Sequence, residues 1–575
     1  MLHKRVLLPF VLILSGLMVS AQPIIPDDVK SEIKNRVENG INPSIVIGII
    51  NADGTDYYSY GKKSLSNDEP VNENSIYEIG SISKTFTGVI LAQLVQEGKV
   101  KLDDPLQKYL PEGVTAPTRN GASINLVHMS NHTSALPRMP DNFSPADPSN
   151  PYVDYSEEQL YEFLNGHELR RDIGSEFEYS NYAVGLLGHV LARSQSMTYE
   201  ELMVNIIANP LGMKNTRIEF TSEMKRNKAI GTNGGREVSN WDLTTLAGAG
   251  AIRSDVVDML KYLSANMGLT KTKLYPAMKM AQTSTVAEDF PRTIGLGWIT
   301  RNTDTSEIIW HNGGTGGYRA FSGFTSDGKT GVVVLTNSSL GVDDIGFHTL
   351  DSALEMRDVK PSIANALRDV IDAEGIDTGI KSYWKMKEEQ SDKYNFAETQ
   401  LNNLGYDYMM SDELDKALAV FQLNVEAYPE SFNAYDSLGE AFMKKGMNEK
   451  AIMNYKKSVE MNPGNDNGIS MLKKLGFDTT ELEKKIEIAS DVLDSYLGRY
   501  ALSPNFVLTV TRDGDQLMVQ ATGQSNFPVF AKSKVRFYYK VVEAEIEFFK
   551  GEDGKIESMT LFQGGQEMKG IKIED

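Results

Sequence analysis

Two periodicities divide this chain. Residues 44–50 form an apolar, β-branched run that the turn-forming Asn51-Ala52-Asp53-Gly54 ends, so a strand is predicted there, with a second over 57–60. Strand patterns return much later, at 295–300, 307–310, 320–325 and 331–337, and Asp327-Gly328 between the last two is a hairpin turn. Between these two sets the spacing is helical. Ile82, Phe86, Val89, Ile90 and Leu94 recur on one side of a helix that opens at Ser81 and that Gly98 stops. Strands at both ends of residues 27–360, with helices between, predict one antiparallel sheet whose N- and C-terminal strands are neighbours.

Further along, the helical pattern repeats itself. Leu404-Gly405 recurs as Leu438-Gly439, Ala417 as Ala451, Phe421 as Tyr455 and Pro429 as Pro463, each 34 residues later. This period and pattern resemble tetratricopeptide repeats, placed over 397–475. Two repeats are too few to bury both ends, so capping helices are expected over 382–394 and 469–475, or a neighbouring domain covers them. Residues 361–396 read as a helical linker. The repeats serve either as a rigid spacer or as a groove for a protein partner. From 493 to 575 the period becomes two: Phe506, Leu508 and Val510 alternate with Val507, Thr509 and Thr511. Asp513-Gly514 and Asp553-Gly554 supply turns, so a small antiparallel barrel or sandwich is predicted.

Composition bounds the function. The 575 residues suffice for several domains, and 41% hydrophobic with 24% charged residues is ordinary globular composition. A net charge of -20 argues against nucleic acid and anionic lipid as partners. There is no cysteine, hence no disulfide and no lipid-modified cysteine. His3-Lys4-Arg5, the apolar run 6–19 and Val19-Ser20-Ala21 read as an export signal over 1–21 with the mature chain starting at Gln22; the alternative is an uncleaved anchor. No other stretch looks transmembrane. With only 7 histidines and no carboxylate cluster at ligand spacing, no metal or other cofactor is expected.

The chemistry-bearing motifs are short. Ser81-Ile82-Ser83-Lys84 puts an amine one helical turn from a hydroxyl, where it can help remove the hydroxyl proton. The spacing alone says little, since Ser31/Lys34, Ser59/Lys62, Ser222/Lys225, Ser326/Lys329 and Ser470/Lys473 share it. Ser81 differs in opening a helix, where free N–H groups either stabilise an oxyanion or are simply capped by the side chain. Tyr179-Ser180-Asn181 follows, and then His311-Asn312-Gly313-Gly314 between two strand patterns.

Together these segments resemble a known family. Residues 77–106 are similar to the region around the catalytic serine of class C β-lactamases, whose relatives include D-alanyl-D-alanine carboxypeptidases, D-amino-acid peptidases and esterases. Residues 177–187 resemble the family's Tyr-x-Asn element, 126–137 a segment rich in His, Thr and Ser, and 310–318 its third motif with His311 in place of Lys. The resemblance spans 29–360 and implies an α/β domain, an antiparallel sheet flanked by helices, with an inserted helical lobe and the site between them. It implies that Ser81 attacks a carbonyl, that Lys84 and Tyr179 share the work of general base, and that Asn181 orients Lys84 and the substrate amide. The backbone N–H groups of Ser81 and Gly314, beside Gly313, would form the oxyanion hole. Burial of Lys84 and its charge beside Tyr179 are expected to lower both groups' pKa values.

The departure at His311 bears on substrate. A Lys there helps hold a substrate carboxylate, whereas a histidine's charge is expected to depend on pH near 6.5; Arg319 is the nearby candidate to compensate. A small-molecule or peptide substrate is therefore expected, with a peptidase or esterase ranked above an efficient class C-like β-lactamase. A receptor that acylates without turnover, or a scaffold using the repeats, is the alternative from another class. Residues 496–500 resemble the opening of a β-rich module often appended to these hydrolases.

Overall fold

The computed structural model describes residues 23–573 apart from 484–485, 504–505, 523, 525, 543, 552 and 564–565. The expected export segment, residues 1–21, lies outside the described residues. Two compact units make up the chain, the second beginning at Lys360.

The first unit is built on a seven-stranded antiparallel sheet. Its strands are β1 (Ser44–Asn51), β2 (Gly54–Gly61), β3 (Thr293–Ile294), β4 (Ile299–Asn302), β5 (Glu307–Gly314), β6 (Arg319–Thr325) and β7 (Gly331–Thr336), in the order β2-β1-β7-β6-β5-β4-β3. The N-terminal hairpin thus adds to the C-terminal meander, with Ile45 opposite both Tyr60 and Thr336. Alternation explains why β1 is apolar throughout: both of its faces are covered. Ile45, Ile47 and Ile49 pack with Val29 and Ile33 of α1 (Asp27–Glu38). Val46 and Ile50 join the larger core on the other face. There Gly48 lets α4 (Val256–Met267) approach, since a Cβ would sit 2.8 Å from Leu260 Cδ1. Arg36 of α1, fully buried, donates to Asp344 at 2.6 Å and to Glu32 at 2.7 Å, and so ties α1 to α5 (Asp343–Leu350).

The lobe on the other side of the site centres on α2 (Ser83–Gln96) and α3 (Asn181–Ser194). All of α2 except Gln93, Val95 and Gln96 is buried, so it is a central helix rather than an amphipathic one. Each of Phe86, Val89, Ile90 and Leu94 contributes about 1.5–3 kcal/mol by burial.

Three boundaries differ from the sequence reading. The expected strand at 295–300 starts only at Ile299, because Gly295 and Gly297 pack tightly against backbone carbonyls of Ala281 and Lys84. The strand at 307–310 continues to Gly314, since β6 pairs with it from Ile308 to Gly314. The helix opens at Ser83; Ser81 lies in a 3-10 turn, Gly80–Ile82, and its side chain caps nothing.

The second unit begins with helical pairs: α6 (Ile363–Glu374) with α7 (Ile376–Glu389), α8 (Glu398–Met410) with α9 (Leu414–Ala427), and α10 (Phe432–Lys444) with α11 (Asn448–Met461), followed by α12 (Asp466–Lys474). The 34-residue period has a packing cause. Gly405 lies against the ring of Phe421, and Gly439 against that of Tyr455. After the short helix α13 (Ser490–Tyr496) come eight strands: β8 (Gly498–Ser503), β9 (Phe506–Asp513), β10 (Gln516–Ala521), β11 (Asn526–Ala531), β12 (Arg536–Tyr539), β13 (Ala544–Lys550), β14 (Ile556–Gln563) and β15 (Gln566–Ile573). They close into a barrel rather than a sandwich, with Arg499 of β8 opposite Ile573 of β15. Tyr500, Leu508, Val510, Leu517, Val519, Ile546 and Phe548 fill it. Among the described residues no helix is long and apolar enough to cross a membrane.

Candidate active site

The serine turn is held from below by an ion pair. Tyr77 and Glu78 pair antiparallel with Ser254 and Arg253, and the Glu78 carboxylate, buried, accepts from Arg253 (3.3 Å), Asn240 Nδ2 (2.8 Å) and the Trp241 N–H (3.0 Å). Gly80 follows at φ +50°, where a side chain would also press on Gly314 N at 2.6 Å. Gly313 closes the approach from the other strand: a Cβ there would lie 1.8 Å from the Ile79 carbonyl and 3.2 Å from Ser81 N. Glycine at both positions therefore lets the end of β5 lie against the serine turn. Because β4 pairs only with Glu307–Trp310, the edge of His311–Gly314 on that side is open among the described residues. Gly314 is exposed, and Ser81 is half-buried.

Lys84 Nζ lies 3.0 Å from Ser81 Oγ and donates to the Ala249 carbonyl at 2.6 Å. Burial, with a smaller push from Arg138, brings its pKa well below the usual lysine range. A neutral amine at this distance can accept the serine proton. Tyr179 stands over the pair, with Nζ 4.9 Å from its ring centroid. Here the expectation of a lowered pKa is corrected. Burial pushes Tyr179 up to about 12, and Ser81 and Arg138 only partly offset it, so the phenol is neutral.

His311 is 1% exposed and 6.3 Å from the Tyr179 ring, centroid to centroid. Burial and then Lys84 hold its pKa down to about 3, against the bond its Nδ1–H donates to the Asn312 carbonyl (2.5 Å). It is therefore neutral at physiological pH, and the expected titration near 6.5 is corrected. Asn181 starts α3, and its amide donates to Met139 Sδ at 3.9 Å, whereas Lys84's bonds go to Ser81 and Ala249; Asn181 does not orient Lys84 here. Arg319 pairs across the hairpin with Gly314, and its Nη1 donates to the carbonyls of Thr315 (2.8 Å) and Tyr318 (2.9 Å).

Two further side chains at the site stand outside the chemistry-bearing sequence motifs. His132 clamps the tyrosine from both sides: its carbonyl accepts from Glu178 N (2.9 Å) and its Nδ1 from Ser180 N (3.1 Å), and its ring lies 4.4 Å from that of Tyr179. It holds a left-handed φ of +64°, a strain that this clamp offsets. His128 stands four residues before it, a spacing that suits a metal pair on a helix, but the helix Leu126–Ser130 ends short of His132 and His128 Nδ1 instead accepts from Asn125 N (3.1 Å). Arg138 is the second: its guanidinium carbon is 5.1 Å from the Tyr179 centroid. The signal available was Pro137-Arg138-Met139-Pro140, a cation between two prolines directly after the His/Thr/Ser segment.

This arrangement fits what comparison with known proteins finds. A family model described as Beta-lactamase matches residues 29–353, and one described as Domain of unknown function (DUF3471) matches 482–572. The D-alanyl-D-alanine-carboxypeptidase/endopeptidase AmpH of Escherichia coli K12 is 30% identical over 345 residues, covering 56% of this chain and 88% of that protein. A Beta-lactamase of the same organism is 25% identical over 351 residues, covering 55% of this chain and 89% of the relative. The fold is shared with a solved class C beta-lactamase (TM-score 0.51, 24% identity, 58% of this chain and 97% of that one). It is also shared with a β-lactamase/D-alanine carboxypeptidase from Pseudomonas syringae (TM-score 0.50, 22% identity, 56% and 98%). With its family match covering more than half its length, this chain belongs to the β-lactamase family of serine hydrolases.

Proposed function

We propose that this chain is an exported hydrolase that acts through an acyl-enzyme on small amides or esters, on the peptidase or esterase side of its family. The observation that carries the reading is the 3.0 Å approach of a desolvated Lys84 amine to Ser81 Oγ, under a neutral Tyr179. Ser81 Oγ bonds to the carbonyl carbon as its proton passes to Lys84. The backbone N–H groups of Ser81 and Gly314 hold the oxyanion, each such donor being typically worth about 3–4 kcal/mol. Tyr179, a neutral phenol, gives its proton to the leaving amine or alkoxide and is reprotonated from Lys84. Water then enters by the reverse path and releases the acid. The side of the family is supported by His311, which burial keeps uncharged where a lysine would offer an anion a charge. It is also supported by the carboxypeptidase/endopeptidase among the relatives.

The basic, apolar and small-residue order of residues 1–21 supports export. Residues 397–475 are read as two tetratricopeptide-like repeats, supported by the repeated Gly-on-ring packing, and serve as a spacer.

The test compares a chromogenic cephalosporin with p-nitrophenyl butyrate, using Ser81→Ala as blank. Ester turnover well above lactam turnover, both lost in the variant, is expected. Fast lactam cleavage would place the protein with the β-lactamases, and activity surviving in the variant would overturn the mechanism.

A further inference from the structure

Resting on the hydrolase reading above, we infer that Arg138 is the cation that receives an anionic group of the substrate, and that the site therefore favours acyl substrates carrying a carboxylate. The other basic groups described at the site are unfit for this. Lys84 is buried and binds Ser81 and Ala249. His311 is buried with its Nδ1–H spent on the Asn312 carbonyl. Arg319 holds the β5–β6 turn through Nη1, and Asp343 acts on its charge.

Arg138 differs in each respect. It is exposed, and among the described residues no carboxylate forms an ion pair with it. Its position is nevertheless fixed. The carbonyl of Pro137 accepts from Ser180 Oγ (2.6 Å), and its own carbonyl accepts from the N–H groups of Asn181 (3.0 Å) and Tyr182 (3.3 Å). Its backbone is thus bound to the first turn of α3, immediately after Tyr179, and its guanidinium lies 5.1 Å from that ring's centroid. The charge is felt at the reacting groups: it acts on Lys84, His132 and Tyr179 alike. A planar, permanently charged donor fork at the rim, 5.1 Å from the centroid of the ring beside the nucleophile, suits a carboxylate on the acyl part of the substrate. Salt should weaken its hold, because the group faces solvent.

The experiment measures kcat/KM for a p-nitrophenyl ester with a distal carboxylate (the glutaric monoester) and for p-nitrophenyl butyrate. Wild type, Arg138→Ala and Arg138→Lys are assayed at two ionic strengths, with melting curves to confirm folding. The ratio of anionic to neutral kcat/KM should fall at least about fivefold in Arg138→Ala. The loss should lie in KM for the anionic ester, Arg138→Lys should recover part of it, and the wild-type ratio should fall as salt rises. A ratio unmoved by both substitutions, or one lowered through kcat, overturns the inference while leaving the hydrolase reading standing. Hydrolysis of neither ester by wild type overturns that reading, and this inference with it. Should Arg138→Ala not fold, the Lys variant and the salt dependence decide alone.

Discussion

A histidine with 1% exposure beside a lysine amine is a neutral hydrogen-bonding group, and this changes how the site should respond to pH. Activity requires the Lys84 amine unprotonated, and burial holds its pKa well below the usual range, so kcat/KM should rise with pH through that depressed value. His311, held down to about 3, is neutral throughout the physiological range. His311→Gln should therefore keep one acid limb, its midpoint moved by less than about half a unit. A lost limb, or one moved by more than about a unit, would show that His311 titrates in the working range. At this scale much of the site was legible. Ser81 and Lys84 are one helical turn apart and Tyr179 sits in a three-residue motif; neither spacing suffices alone, and the order of the motifs along the chain carried the information. Arg138 was not legible, because its place over Tyr179 depends on hydrogen bonds between a loop and the start of α3. The raised pKa of Tyr179 was misjudged for a similar reason: burial is a tertiary quantity and outweighs the neighbouring charges.

Among the elements, the contact that shapes the site is that of the end of β5 with the serine turn. Gly313 has an ordinary φ, so only space forbids a side chain there, and the atom it would strike is a backbone carbonyl that cannot swing aside. Gly313→Ala should cost on the order of 1–3 kcal/mol of stability and, by prising Gly314 from Ser81, lower kcat about a hundredfold. Gly98→Ala is the contrast. Its φ of +69° makes the substitution strained, yet nothing stands within 4 Å, so melting temperature should fall without the loss of kcat. Equal kcat losses in the two variants would contradict the role given to the β5 contact. The sequence revealed that a strand and a helix meet here, but not their limits. The pattern at 307–310 stops where apolar residues give way to His311-Asn312-Gly313-Gly314, while the strand runs on because β6 pairs with it. Gly313 and Gly314 are strand residues, and the missing side chain at Gly313 admits the serine turn.

On the scale of the whole chain, the first unit follows the family fold, and the second joins helical pairs to an eight-stranded barrel. The 34-residue repeat was readable because the same glycine-on-ring packing recurs in sequence. Closure of the barrel was not, since it depends on β8 meeting β15 across the full length of the domain, a pairing that alternation within each strand leaves open. The central claim is that Ser81 becomes acylated and is then released by water. The most direct measurement is the intact mass of the protein, with peptide mapping, on acid quench at intervals after mixing with the preferred ester. One acyl group per chain, located on Ser81, should appear, disappear as substrate is exhausted and never form in Ser81→Ala. Steady turnover with no adduct at any time, or an adduct on another residue, would contradict that claim.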